Sequence, residues 1–505
     1  MDWKTIYSTF DLKVRQGKFK EVTHELKKLS FINLPRSEAN LYADLSRRCG
    51  LFFLGLKILT PYVRSQFIDI KPTESELITY SALLIKIGSF DEAISRLQKI
   101  PANNVFALQF LAFAYQSQWN FKKAIPLFEE IELSKELSSY QQCVIKVNLA
   151  SAYLEVNYLK KAKIKLNELI NLTRLNKWDL LQLNVLELVT QLYIEQKNYE
   201  VAESYIYQTE VLLHMLKLGN ENNRYFLLIN KNFALLKLKS SDIDLKNNGL
   251  KLMTQIRNNA ESGNYWELVR ECDFHIARFT KDLNLANHLY YGSASSHFIK
   301  KITDYFPKST LLKKYCLEFN AEANVENNLL NLVDGYWNLK SDSLDLNSVP
   351  LLLLIILVND FYRPQSLGAI FSSLYPGEFF NPQTSPKRVF QALHRLRGIL
   401  KEKKIPLYFD CKNNLISISK KSKIKIVLKK NNSIKDLIID VETKNSLNLI
   451  NDLKKQFGLK GFKLEQAVKY LNKSSGTIKK VIHFGIKNLK LVKVGQSRST
   501  KYIFK

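Results

Sequence analysis

The chain has 505 residues, and its 75 Lys and Arg outnumber its 47 Asp and Glu, which gives a formal net charge of +28. An excess of this size favours a polyanionic partner. A hydrophobic content of 46% excludes a chain that is disordered throughout.

The five cysteines are isolated, so they predict neither a disulfide framework nor a zinc site. We therefore expect a reducing, cytoplasmic location and no metal or cofactor. The N-terminus is too polar for a secretory signal. The longest apolar run, Val349 to Val358, has 10 residues, whereas a membrane span needs about 20. The sequence thus predicts a buried helix there and no membrane partner.

The positive charge is concentrated in the last third of the chain. Residues 1–340 contain 44 basic and 36 acidic residues, and the remainder contains 31 and 11, which gives net charges of +8 and +20. Background bias in composition would spread evenly along the chain. The asymmetry therefore indicates a polyanion-binding surface in the last third.

Residues 10–300 show apolar positions at three- and four-residue spacing, which predicts helices. Four segments share a turn, then an aromatic residue or leucine, then alanine three residues later. The four segments are 87–93, 118–124, 157–162 and 197–202, with anchors at Phe90, Phe121, Leu159 and Tyr199.

These anchors are 31, 38 and 40 residues apart, and the pattern resembles the tetratricopeptide repeat. Weaker copies are present at 17–22 and 263–269. The resemblance implies a helical repeat domain over residues 1–305 whose concave surface binds a protein or peptide partner. We find no nucleotide-binding loop, metal cluster or nucleophile motif in this region, so the sequence does not predict an enzyme.

After residue 308 the pattern changes. Extended pieces at 317–319 and 329–332 precede an Asp334-Gly335 turn, which predicts a hairpin with 336–339. Ser348 and Pro350 predict the start of a first helix, and a second begins near Ser366.

A third helix is predicted over residues 385–400. One stripe of this helix is apolar, formed by Val389, Leu393, Leu396 and Leu400. Its opposite side carries Lys387, Gln391, His394 and Gly398, and is flanked by Arg388 and Arg395. Such a face suits a DNA major groove, although a solvated basic helix would show the same pattern. Extended segments at 405–409 and 415–418 are predicted to form a wing.

Together these features resemble the OmpR/PhoB-type winged helix over residues 308–420. The resemblance implies that Lys387, Arg388, Gln391, His394, Arg395 and Arg397 face DNA. The wing departs from that family, because Cys411-Lys412-Asn413-Asn414 replaces its glycine-rich turn.

Residues 421–444 are predicted to be a basic linker that contains a short strand at 424–428. Residues 445–505 resemble a generic winged helix-turn-helix, with helices near 447–457, 462–471 and 474–489. That resemblance implies DNA contacts from Thr477, Lys479, Lys480, His483, Lys487 and Arg498.

The predicted fold is mainly α, a tetratricopeptide-like α-solenoid followed by two α/β winged-helix domains. The predicted function is that of a transcriptional regulator that binds double-stranded DNA. The alternative is a scaffold subunit of the PCI type, in which a solenoid and one winged helix assemble a protein complex. Two winged helices and the basic last third favour the regulator.

Overall fold

The structure is a computed structural model, and it describes residues 2–64, 71–221, 223–320, 328–338, 342–346, 348–430, 446–447, 449–473, 475–487, 490–495 and 500–504. The described chain is mainly helical. No helix in these ranges is both long enough and apolar enough to cross a membrane.

The described residues up to Tyr305 form a series of helices that we call the helical array. Each helix packs chiefly against the helices that precede and follow it. The helices are α1 Trp3–Arg15, α2 Phe19–Lys28, α3 Arg36–Arg48, α4 Phe52–Val63, α5 Glu74–Lys86, α6 Phe90–Leu97, α7 Val105–Ser117, α8 Phe121–Glu132, α9 Ser139–Glu155, α10 Leu159–Leu175, α11 Asp179–Glu195, α12 Tyr199–Met215, α13 Arg224–Lys239, α14 Ile243–Ser262, α15 Trp266–Thr280, α16 Leu283–Tyr291 and α17 Ser296–Tyr305.

The repeated sequence pattern coincides with one recurring turn. Each of the four anchors is the first residue of a helix, namely α6, α8, α10 or α12. The residue two positions before each anchor has a left-handed backbone, with φ between 59° and 81° in Gly88, Trp119, Asn157 and Lys197. The alanine three positions after each anchor is fully buried: Ala93, Ala124, Ala162 and Ala202. The small alanine side chain lets neighbouring helices approach closely. The recurring turn and the helices that follow it confirm the predicted helical repeat array.

The residues after the array form a mixed helix and strand unit, which we call the central unit (315–430). Its elements are β1 Tyr315–Phe319, β2 Leu329–Asn331, β3 Tyr336–Trp337, β4 Asp342–Ser343, α18 Val349–Asn359, β5 Gln365–Ser366, α19 Leu367–Leu374, α20 Ser385–Glu402, β6 Phe409–Lys412, β7 Leu415–Ile418 and β8 Ile424–Leu428. The strands form two sheets, with orders β1-β8-β2-β3-β4 and β5-β7-β6.

The sheet register corrects two predictions. Strand β8, expected inside a basic linker that begins at residue 421, lies between β1 and β2, antiparallel to β1 and parallel to β2. Its buried residues Ile424, Ile426 and Leu428 alternate with less buried ones, which is the pattern of a strand with one face on the core. The first strand of the predicted wing begins at Phe409 instead of residue 405. The residues before it bond elsewhere, because the Ile405 N–H donates to the Leu400 carbonyl and the Leu407 N–H to the Ile405 carbonyl.

The apolar run after Ser348 is helix α18, as predicted. Every residue from Pro350 to Val358 is buried. The helix packs against α19, α20 and strand β7 of the central unit. Because the helix is buried by protein on all sides, its 11 almost uniformly apolar residues are stable there.

The array and the central unit share one hydrophobic core. The core contains residues of α1 to α5, such as Tyr42 and Leu83, together with Leu317, Leu353 and Ile426 of the central unit. Polar contacts continue between the two parts at the other end of the array, where Lys430 donates to the Ser293 carbonyl at 2.6 Å. The central unit is therefore packed on both the early and the late helices of the array.

The last described residues form a C-terminal unit (446–504) with its own core. It comprises α21 (446–457, described except at 448), a 3₁₀ turn Gly458–Lys460, α22 Leu464–Leu471, α23 Ser475–Lys487, and the antiparallel pair β9 Leu491–Val494 and β10 Lys501–Phe504. Leu453, Phe462, Ile478 and Leu491 are among its buried residues.

Candidate nucleic-acid interface

Helix α20 has one buried face and one exposed face. Pro386 lies in its first turn, where the missing N–H has no helical partner to lose. Val389, Ala392, Leu393, Leu396 and Leu400 are buried, and the helix packs on α18 and α19. The apolar stripe predicted from the sequence is thus the contact that fixes α20 on the central unit.

The opposite side of α20, which we call the outer face, consists of Lys387, Gln391, His394 and Arg395. All four side chains are exposed. No hydrogen bond or ion pair joins any of them to another residue in the described part of the chain. Two cations and two groups with hydrogen-bonding capacity are therefore available to a ligand on a rigid helix.

Arg388, which the resemblance to the OmpR/PhoB-type winged helix placed among the DNA contacts, is bound within the protein. Its guanidinium pairs with Glu378 and lies 3.8 Å from the centre of the Tyr375 ring. The hydrogen bonds to Glu378 raise the pKa of Arg388 above its ordinary value. Because these interactions hold the guanidinium on the loop before α20, Arg388 is not part of the outer face.

Arg397 is exposed but also has partners within the protein. Its guanidinium donates to the Phe409 carbonyl at 3.2 Å and contacts the Cys411 sulfur at 3.6 Å. Arg397 thus links α20 to the following hairpin. This linkage was not apparent from the helical spacing.

The hairpin β6-β7 is closed by a tight two-residue turn. Lys412 pairs with Leu415, and the residues between them, Asn413 and Asn414, have φ values of 51° and 62°. Two successive left-handed residues are typical of a type I′ turn, which asparagine tolerates better than most residues. Lys412, Asn413 and Asn414 are exposed, so the segment whose sequence departs from the OmpR/PhoB-type pattern forms a compact polar tip.

Strand β7 also pairs with β5, where Ser366 lies opposite Leu415. Ser366 is the N-cap of α19, and its hydroxyl accepts a hydrogen bond from the Ala369 N–H at 3.3 Å. The hairpin is therefore attached both to α20, through Arg397, and to the start of α19. This arrangement places the outer face and the hairpin tip on one rigid support.

In the C-terminal unit, helix α23 contains most of the other predicted contacts. Ile478, Ile482 and Gly485 are buried, as predicted, while Lys479 and His483 are exposed. A Cβ at position 485 would lie 2.6 Å from a Leu491 methyl carbon, which explains the glycine there. Thr477, Lys480 and Lys487 belong to α23, but their side chains lie outside the described part of the structure, and so does the whole of Arg498.

One exposed residue near the outer face was not among the predicted contacts. Phe390 follows the buried Val389 and is 42% exposed. A helical wheel places it beside Lys387 and His394 at the edge of the outer face. Its exposure could have been inferred from the same wheel, because it lies outside the apolar stripe.

The chain matches no protein-family model and no curated protein. Solved structures with some likeness include the Rap protein complexed with Competence and Sporulation Factor, at 10% identity, with 96% of each chain covered and a TM-score of 0.37. The apo form of RapI is 12% identical, and the alignment covers 60% of this chain and 99% of RapI, with a TM-score of 0.35. A TPR repeat-containing protein from Cytophaga hutchinsonii is 14% identical over 60% of this chain and 97% of that chain, with a TM-score of 0.22. At these TM-scores the likenesses carry no conclusion about function.

Proposed function

We propose that this protein is a non-catalytic transcriptional regulator that binds double-stranded DNA through the outer face of α20. The observation that carries the proposal is the outer face itself. Lys387, Gln391, His394 and Arg395 are exposed on one side of a helix whose other side is buried, and no hydrogen bond or ion pair joins them to another described residue. Amides and arginines read base edges in the major groove, and lysines contact phosphates.

The element order supports a winged-helix assignment for this part of the central unit. Helix α18, strand β5, helices α19 and α20 and the hairpin β6-β7 follow one another in the order helix, strand, helix, helix, hairpin. In winged helices of the OmpR/PhoB type, the third helix enters the major groove and the hairpin contacts the neighbouring backbone. We assign these roles to α20 and to the turn at Asn413 and Asn414.

For the C-terminal unit we propose a second winged helix, with Lys479 and His483 of α23 toward DNA. Helices α21, α22 and α23 and the pair β9-β10 supply the elements, and Lys479 and His483 are exposed. For the helical array we propose a protein or peptide partner, because stacked helix pairs form extended surfaces of the kind that repeat proteins use for such ligands.

The scaffold alternative also has a supporting observation, which is the core shared by the array and the central unit. A PCI-type scaffold would use its winged helix for packing in this way. The scaffold alternative does not explain why the outer face presents polar residues without hydrogen bonds or ion pairs. For this reason we favour the regulator.

The test is a titration of a random-sequence DNA duplex with the full chain at several salt concentrations. Binding is measured by fluorescence anisotropy. If about four phosphates are neutralised, affinity should fall roughly hundredfold between about 50 and about 200 mM salt. The double variant Lys387→Ala/Arg395→Ala should bind more weakly and with a shallower salt dependence.

The matched control is Lys122→Ala/Lys160→Ala, which removes the same charge from exposed positions of the array. It should bind like the wild type. A wild-type chain that fails to bind duplex at low salt would contradict the regulator and favour the scaffold.

A further inference from the structure

We infer that the early helices of the array position α20 for DNA, through a buried clamp on the loop that joins α19 to α20. This inference rests on the proposed function, because it concerns the regulation of the same DNA-binding face. The clamp consists of Arg64, Glu92 and Arg96 in the array, and it binds the loop at Phe379 and Phe380.

The first contact brings two backbones together. The Ser366 hydroxyl donates to the Ile87 carbonyl at 2.6 Å, and the Ser89 and Ser372 hydroxyls are 3.0 Å apart. A Cβ at Gly368 would overlap the Ile87 carbonyl oxygen, and one at Gly88 would lie 2.6 Å from the Ser366 hydroxyl. The α5–α6 turn is therefore seated directly on the start of α19.

The second contact holds the loop itself. The Glu92 carboxylate is buried and accepts a hydrogen bond from the Phe380 N–H at 2.6 Å. On the other side of the same residue, Arg64 donates to the Phe380 carbonyl at 2.6 Å. One backbone unit of the loop is thus held through both of its polar groups by array side chains.

Arg96 completes the clamp. It pairs with Glu92 at 2.7 Å, and its guanidinium lies 5.0 Å from the ring centres of Tyr80 and Phe379. Glu92 is 5% exposed and Arg96 is 7% exposed. A buried ion pair that also binds backbone is costly to disturb, because loss of one partner leaves the other charge unpaired.

The loop is in turn tied to α20. Glu378 pairs with Arg388 in the first turns of the helix. The Asn381 N–H donates to the Ser385 hydroxyl at 2.8 Å, and the Asn381 side chain accepts from the Gln383 N–H at 2.8 Å. Because the segment from Phe379 to Ser385 has hydrogen bonds along its length, a displacement of α6 moves the start of α20 with it.

This connection gives the array control over the DNA-binding face. A partner that shifts α5 and α6 changes the orientation of α20 and hence its affinity for DNA. By linkage, DNA bound at α20 stabilises the clamp by the same free energy. Glu92 is accordingly a positioning residue, because it does not itself face DNA.

The experiment compares the full-length wild type with Glu92→Ala, Glu92→Gln and the control Glu132→Ala. Glu132 pairs with Lys165 within the array, far along the chain from the clamp. Two measurements are made on each variant, namely affinity for duplex DNA and hydrogen exchange of the amides in residues 375–384. In wild type, DNA should also slow amide exchange in α6.

We expect Glu92→Ala to speed exchange in residues 375–384 and to weaken DNA binding by about tenfold, within the range of ordinary allosteric coupling. Glu92→Gln keeps an acceptor for the Phe380 N–H and should recover part of the affinity. Glu132→Ala should change neither measurement, so a general loss of stability would be recognised.

Faster exchange in Glu92→Ala with unchanged DNA affinity would overturn the clamp's role and leave the proposed function intact. Equal loss of affinity in Glu92→Ala and Glu132→Ala would also overturn it, since the effect would then be general. A wild type that binds no DNA would refute the proposed function, and the inference would fall with it.

Discussion

The guanidinium of Arg270 donates a hydrogen bond to the carboxylate of Asp360 at 2.6 Å, although the two residues are 90 positions apart in the chain. Both side chains are at most 5% exposed. Arg270 belongs to α15 of the array, and Asp360 follows α18 of the central unit. The pair therefore joins the late helices of the array to the unit that contains the candidate DNA-binding face.

The substitution Arg270→Met should destabilise the protein by about 3 kcal/mol, because it leaves the buried Asp360 carboxylate with fewer partners. Asp360 keeps its pairing with Arg363 at 2.7 Å. The loss of unfolding free energy should therefore be at the lower end of the range for broken buried ion pairs. The measurement is the shift of the urea unfolding transition. The control Arg15→Met removes an exposed arginine whose partner Asp11 keeps its pairing with Arg48, so it should cost less than about 1 kcal/mol. Equal losses in the two variants would contradict the structural role of Arg270.

The close helix packing in the array can be tested at Ala162, which is fully buried in α10. Ala162→Leu adds three carbon atoms to a packed contact and should destabilise the protein by about 1–3 kcal/mol. In the same helix Ile164 is 68% exposed, so Ile164→Ala should change stability by less than about 0.5 kcal/mol. Thermal unfolding of both variants checks the prediction, and a harmless Ala162→Leu would refute the packing.

The turn at the tip of the hairpin predicts opposite effects of two substitutions at Asn414, where φ is 62°. Asn414→Gly should leave stability unchanged or raise it, since glycine adopts this conformation without strain. Asn414→Val should lose about 1–2 kcal/mol, because its side chain disfavours the left-handed region. Hydrogen exchange of the β6-β7 amides measures the effect locally, and equal exchange in the two variants would contradict the turn assignment.

Substitutions of neighbouring outer-face residues should reduce DNA binding in different ways. Lys387→Ala should lower DNA affinity for every sequence and reduce the slope of log affinity against log salt by about 0.9. Gln391→Ala should instead lower the preference for the best sequence by about 1–3 kcal/mol. Parallel titrations with specific and random duplexes separate these effects.

Arg388 provides the contrast to those two residues, because it is paired with Glu378. Arg388→Met should lower the unfolding temperature while leaving the salt slope unchanged. A reduced slope in this variant would show that Arg388 contacts phosphates after all, as the sequence pattern suggested.

The pH dependence of stability should contain a contribution from Lys430. Burial lowers the pKa of this residue from 10.5 to about 8. Between these two pH values the unfolded chain binds more protons at this site than the folded chain, so stability rises with pH across this window. The free energy of unfolding of the wild type, relative to that of Lys430→Met, should therefore increase from about pH 8 to about pH 10. A constant difference would contradict the lowered pKa of Lys430 in the folded chain.

Much of the array could be predicted from the sequence, because its signals are local. The anchors Phe90, Phe121, Leu159 and Tyr199 begin helices since a turn and a small residue at fixed spacing specify the helix pair. The apolar stripe of α20 was likewise contained in one short segment. In each case neighbours along the chain determine which side is buried.

The contacts between distant segments could not be predicted in this way. Strand β8 looked like part of a linker, because its partner β1 lies more than a hundred residues earlier in the chain. Arg388 looked like a DNA contact because helical spacing could not reveal its acceptor. That acceptor, Glu378, lies outside α20 in an irregular loop. The clamp by Glu92 on Phe380 joins residues 288 positions apart, so no local pattern could reveal it.

The most direct test of DNA binding by α20 is photo-crosslinking from a photoreactive amino acid placed at position 391, with the full-length protein bound to a labelled duplex. A matched protein has the same photoreactive group at position 175, an exposed leucine of the array. We predict a covalent adduct with DNA from position 391 and none from position 175. A chain that binds the duplex but gives no adduct from position 391 would contradict the assignment of the outer face of α20 as the DNA-binding surface.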